Sequence, residues 1–229
     1  MVADLLRRSL ALPNALLLLA LLALVLVFPF LEPFREGRAA IAIFDLVILA
    51  LALRAARATG PEARIGYVLV MPAMALHIAA AWWGGDGLWM ASFGAQAVFH
   101  AYVVASLLRY ILRDEIMTLD ELFAAAALYV LMAFVFAYVY ALVERYAPGS
   151  FFINPANDPD AHLGWWKLLY FSFTCLTSVG FGEITPVSDH VRSLVMIEQM
   201  AGVLYLALII SRLVALQRPR PGGGGPLRR

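Results

Sequence analysis

Long apolar runs separated by short polar clusters set the pattern of this chain. The runs cover roughly residues 14–31, 39–57, 65–83, 88–110 and 119–146, with a sixth at 189–216. A helix crosses the hydrocarbon of a bilayer with about 20 mostly apolar residues, so each run predicts a membrane span. Turn-forming residues divide them: Glu32-Pro33, Gly60-Pro61, Gly84-Gly85-Asp86-Gly87, and the stretch APGSFFINPANDPDAHLG at 147–164. Thr118 and Glu121 have the T-x-x-E spacing of a capping box at the start of the fifth run. Between the fifth and sixth runs lies WWKLLYFSFTCL, residues 165–176. That piece is too short to span and predicts a re-entrant helix. The expected fold is an all-α membrane protein with six transmembrane helices and one re-entrant helix and loop between the fifth and sixth.

Composition agrees with this pattern. The 229 residues are 63% hydrophobic and 14% charged, against about 45–50% and about 25% in soluble domains. A net charge of +1 gives no electrostatic case for a nucleic-acid partner. Cys175 is the one cysteine, so an intrachain disulfide and a Cys-rich metal site are both excluded. It is read as a small packed residue. Arg7 and Arg8 precede the first run as they would in a signal peptide. No small-residue cleavage site follows, so a retained helix is expected.

Charge also predicts orientation. With the N-terminus inside, 12 of the 17 Lys and Arg fall on the cytoplasmic side, as the positive-inside rule requires. Trp82, Trp83, Trp89, Trp165 and Trp166 then all sit at the outer interface, where amphipathic rings are favoured. Both termini are expected in the cytoplasm of a prokaryote, with the protein multi-pass in the inner membrane and lipid as its surroundings. The re-entrant piece enters from outside.

The stretch TCLTSVGFGEITP, 174–186, places glycines and hydroxyls inside an apolar region. Non-helical backbone at membrane depth is tolerated only where protein buries it or water lines it. Gly180 and Gly182 can take positive φ at little cost. Alternating them with ordinary residues points successive carbonyls to one side and turns Val179 and Phe181 away. A column of carbonyl oxygens can replace the water shell of a potassium ion. The hydroxyl of Ser178 or Thr177 can add an oxygen ring at the cytoplasmic end. The C-terminal end of the short helix, partly negative, favours a cation nearby.

Ser178-Val179-Gly180-Phe181-Gly182 resembles the TVGYG selectivity filter of potassium channels. Serine keeps the hydroxyl, and phenylalanine replaces the tyrosine. FSFTCLTSVGFGEITP followed by VRSLVMIEQMAGVLYLALIISRLVAL is similar to the pore and inner helix of bacterial two-helix-pore ion channels, over about 118–217. The resemblance implies ion-binding sites at Thr177, Ser178, Val179, Gly180, Phe181 and Gly182, where backbone carbonyls hold K+. It implies that Tyr170 braces Glu183, that Gly202 is the inner-helix hinge, and that Val203, Leu206, Ile210 and Val214 line the cavity below. With one such loop per chain, a ring of carbonyls needs four chains, hence a homotetramer.

Three units are expected: a four-helix membrane domain at 1–113, a pore domain at 114–217, and a disordered cytoplasmic tail at 218–229. The fourth run carries arginine only at its inner end, Arg109 and Arg113, so the arginine repeat of a voltage sensor is missing. The tail is too short for a soluble ligand domain. Weak voltage dependence or gating at the filter is therefore the expectation, with K+ as permeant ion, no cofactor and no covalent chemistry. Asp45, His77 and His100 lie within spans, where ionisable groups are costly and usually find partners. A hydrogen-bonded pair is preferred over haem ligation by the two histidines. Glu198, one turn before Gly202, is placed behind the filter. Asp158 and Asp160 in the outer loop are read as solvated. The rival readings are a nonselective cation channel of the same architecture, a potassium-uptake transporter subunit, and a membrane sensor or redox protein built on the first four helices.

Overall fold

All seven predicted helical stretches are helices in the computed structural model, which describes residues 12–31, 35–57, 63–113, 118–156 and 163–217. They are α1 (Pro13–Leu31), α2 (Arg35–Arg57), α3 (Ala63–Trp83), α4 (Asp86–Arg113), α5 (Leu119–Tyr146), the short α6 (Trp165–Leu176) and α7 (Asp189–Gln217). Among the described residues, α1, α3, α4, α5 and α7 are long and apolar enough to cross a membrane. The side chains of α2 are described only from residue 44 to residue 55. Arg7, Arg8, Asp158, Asp160 and the 218–229 tail lie outside the described residues.

Helix α5 is the common wall. It packs on α4, α1, α6 and α7. Small side chains make that possible: Ala124, Ala127, Ala133, Ala137 and Ala141 are buried along its length, and small residues let neighbouring backbones approach closely. Leu17, Leu21, Leu24 and Phe28 of α1 bury one stripe at helical spacing. At the other end of that stripe Phe28 stacks on Trp166 of α6, with ring centroids 4.6 Å apart.

The helix ends are held by polar contacts. Thr118 caps α5, and the predicted capping box is formed in both directions: Glu121 N donates to Thr118 Oγ1 at 3.3 Å, and Thr118 N donates to Glu121 Oε2 at 2.6 Å. Asp120, next along, accepts from Asn14 Nδ2 (2.6 Å) and N (3.2 Å) and from Tyr110 Oη (3.3 Å). One carboxylate thus joins the start of α1, the end of α4 and the start of α5. At the opposite end Arg145 pairs with Asp86 at 2.5 Å, and its guanidinium lies over the rings of Trp89 and Phe93.

One element departs from the all-α expectation. Strands β1 (Phe151–Ile153) and β2 (Ile184–Pro186) form an antiparallel pair, with Phe151 opposite Pro186 and Ile153 opposite Ile184. Asn154 N to Glu183 O (3.0 Å) and Val187 N to Ser150 O (2.9 Å) extend the pairing at both ends. This ribbon closes residues 154–183 into a loop that holds α6 and the segment after it. The polar break at 147–164 hid it, because FFI is only three residues of strand signal amid Gly, Pro and Asn.

Loss of the cap is measurable. Thr118→Ala is expected to cost about 1 kcal/mol of α5 stability, seen as an earlier midpoint in a denaturing-detergent titration. An unchanged midpoint would mean that the cap is redundant with the Asp120 contacts.

Candidate ion-conduction site

The chemistry of 174–186 begins with how α6 stops. The last four carbonyls of a helix have no partner inside it. Here each of the last four finds one. Phe173 O accepts from Thr177 N (3.0 Å) and Thr177 Oγ1 (2.7 Å), and Cys175 O accepts from Ser178 N (2.9 Å). Thr174 O takes both Val179 N (2.9 Å) and Gly180 N (3.1 Å). Leu176 O accepts from Tyr129 Oη of α5 at 3.2 Å. The following segment is thereby folded back against the end of the helix that precedes it.

Its backbone alternates in handedness. Thr177 is right-handed, with φ −84° and ψ −3°. Ser178, Gly180 and Gly182 have positive φ, 58°, 57° and 83°, whereas Val179 and Phe181 do not. The two glycines were expected to do this. Ser178 was not, and a left-handed conformation costs a residue with a Cβ about 1–2 kcal/mol. Such an outlier, held in place by its surroundings, points to function. Among the described residues Ser178 is the single non-glycine with positive φ.

Side chains of the segment turn outward and back. Val179 and Phe181 are 55% and 67% exposed in the single chain. The Phe181 ring lies parallel to that of Tyr170 at 6.4 Å. Tyr170 Oη donates to Glu183 Oε2 at 2.8 Å, so the contact implied by the sequence resemblance is present.

Helix α7 meets the back of α6 along one stripe. Gly202 is buried there, and a Cβ built on it would run into the carbonyl oxygen of Leu176, with the carbonyl carbon only 3.1 Å away. Close approach therefore supplies a packing reason for glycine at 202, separate from the hinge expected of it. One turn earlier Glu198 is fully buried; it accepts from Tyr140 Oη at 2.5 Å and is in hydrogen-bond contact with Ser172 Oγ. The sequence placed Glu198 behind this region without naming these partners. Val203, Leu206, Ile210 and Val214 lie on the face of α7 turned away from the bundle and are 45–59% exposed.

The other intramembrane candidates stay in the first four helices. His77 Nε2 of α3 is 3.6 Å from Asp45 Oδ2 of α2, close but longer than the hydrogen bond expected of such a pair. The ring of His77 stands edge-on to Trp89. His100 donates from Nδ1 to Gln96 O, one turn back on its own helix, at 2.8 Å. Its ring packs among Phe99, Phe134 and Tyr138.

A backbone of alternating hand is backed by a short helix and flanked by α5 and α7. Residues 117–217 match a family model described as an ion channel. The match begins beside the α5 cap and runs to the end of α7, so it takes in α5, α6, the 177–182 segment and α7. A comparison with curated proteins finds no match. The matched region is joined to α1–α4 through α5.

Gly202→Ala tests the tightest contact in that region. Its methyl group meets backbone rather than a movable side chain, so α6 and α7 must separate, at about 1–3 kcal/mol. The expected result is a lowered unfolding midpoint; a wild-type midpoint would show that the seam yields freely.

Proposed function

We propose that the chain is one subunit of a homotetrameric channel that passes potassium ions across a prokaryotic inner membrane. The observation that carries this reading is the alternation of positive and negative φ from Thr177 to Gly182. Such alternation turns successive carbonyls to the same side, and four chains would surround an axis with rings of oxygen. Those rings would take the place of the water shell of K+, with the Thr177 hydroxyl at the inner end. In this reading all of α1–α5 and α7 span the bilayer, α6 is re-entrant from outside, and both termini face the cytoplasm. Val203, Leu206, Ile210 and Val214 line a cavity below the filter, and Gly202 is the point at which α7 bends.

Permeation is passive and follows the electrochemical gradient. The absence of arginines along α4 before Arg109 supports gating at the filter over strong voltage gating. Tyr170 and Glu183 brace the outer end of the filter. The ribbon between β1 and β2 holds the same end from the other side.

Purified protein in a bilayer with potassium on one side and sodium on the other is expected to reverse near the potassium equilibrium potential. Gly180→Ala, which forces a Cβ into the left-handed region, should abolish that selectivity. Real current reversing near zero in the wild type would reduce the protein to a nonselective cation channel.

Tyr170→Phe removes one hydrogen bond, worth about 0.5–1.5 kcal/mol net. It should shift the balance between conducting and non-conducting filter by about 2–10-fold, read as open probability in single-channel records. An unchanged open probability would take the brace out of the mechanism.

A further inference from the structure

We propose that Glu198 is the positioning residue of the filter: through Ser172 and Tyr140 it locks α6 between α5 and α7 and so fixes the place of residues 177–182. The inference rests on the reading of 177–182 as an ion filter and adds a residue to it that lies outside the conducting path.

The geometry is a three-helix junction. Glu198 of α7 has no exposed surface, and neither does Ser172 of α6 or Tyr140 of α5. Tyr140 Oη donates to Glu198 Oε2 at 2.5 Å. Ser172 Oγ contacts Glu198 Oε1 and also lies 2.9 Å from the carbonyl oxygen of Ala133 on α5. A serine hydroxyl has one proton, and here it faces two acceptors. The count closes when the carboxyl carries a proton, donates it to Ser172 Oγ, and Ser172 donates onward to Ala133 O. Every polar atom of the junction then has a partner, which a buried network at membrane depth requires.

Position along the helices turns the junction into a register. Ser172 and Leu176 are one turn apart on α6, and Glu198 and Gly202 are one turn apart on α7. The first members of each pair meet through the carboxyl, and the second members meet by direct approach of Gly202 to the Leu176 carbonyl. A carboxyl at one rung and a missing side chain at the next allow a single sliding position between the helices. Leu176 leads directly into Thr177, so an error in that register passes straight into the filter.

The test is a set of substitutions read by two signals. Glu198→Gln can accept from Tyr140 and donate to Ser172, so it should keep the wild-type ratio of potassium to sodium permeability. Glu198→Ala leaves both hydroxyls without the carboxyl, and the ratio should fall about tenfold or more. An assembled Glu198→Ala channel with an unchanged ratio overturns the proposal. Should that variant fail to assemble, Ser172→Ala and Tyr140→Phe decide: each is expected to lower the ratio, and wild-type ratios in both overturn it. Backbone hydrogen exchange of residues 177–182 in the purified protein provides the second signal. Exchange should be faster in Glu198→Ala and unchanged in Glu198→Gln; equal rates in all three proteins overturn the proposal. That signal holds even where wild-type current reverses near zero, which would count against the potassium reading and not against the junction.

Discussion

Stopping a helix inside apolar surroundings is the constraint on which the 117–217 region depends. Helix α6 is 12 residues long and ends between two longer helices, where unpaired carbonyls would cost several kcal/mol each. The chain solves this by folding the next four residues back over the helix end, so that the amides of 177–180 satisfy the carbonyls of 173–175. That solution demands left-handed backbone at Ser178 and Gly180. The alternating segment is thus tied directly to the termination of α6. Leu176 O, which the backbone does not reach, is met by Tyr129 from α5.

From that end outward, support is arranged on three sides. Helix α5 supplies hydroxyls from Tyr129 and Tyr140, α7 supplies Glu198 and the bare backbone of Gly202, and the β1–β2 ribbon grips the far end through Glu183 O. The Tyr205 hydroxyl of α7 donates to Ala125 O of α5 at 2.7 Å, and its ring stacks on Tyr129. Polar contacts in such a setting contribute only modestly one by one. Their value lies in direction: each permits one relative placement of two helices, which apolar packing alone would leave free to slide.

Most of the helical plan was legible in the sequence because apolar run length and turn residues act locally. The Thr118 and Glu121 cap was legible for the same reason, being a contact over three residues. Gly180 and Gly182 announced positive φ by lacking a Cβ. Ser178 did not, since its conformation is imposed by the end of α6 rather than by its own preference. The pairing of Phe151–Ile153 with Ile184–Pro186 joins residues more than 30 apart and has no local trace. The partners of Glu198 were hidden likewise, because Tyr140 and Ser172 come from two other helices and only the packing of all three brings them to one carboxyl. The direct approach of Gly202 to Leu176 was also out of reach: a glycine in a helix advertises flexibility and close contact equally.

The Asp120 carboxylate has a mechanical consequence for the whole molecule. By holding Asn14, Tyr110 and the first turn of α5 together, it sets the ends of α1, α4 and α5 at one height. Bilayers differ in thickness, and a helix longer than the local hydrocarbon accommodates the mismatch by tilting. Three helices pinned at one level cannot tilt independently. A thinner or thicker membrane would lean them as a block, and α5 would carry that lean to the wall against which α6 rests.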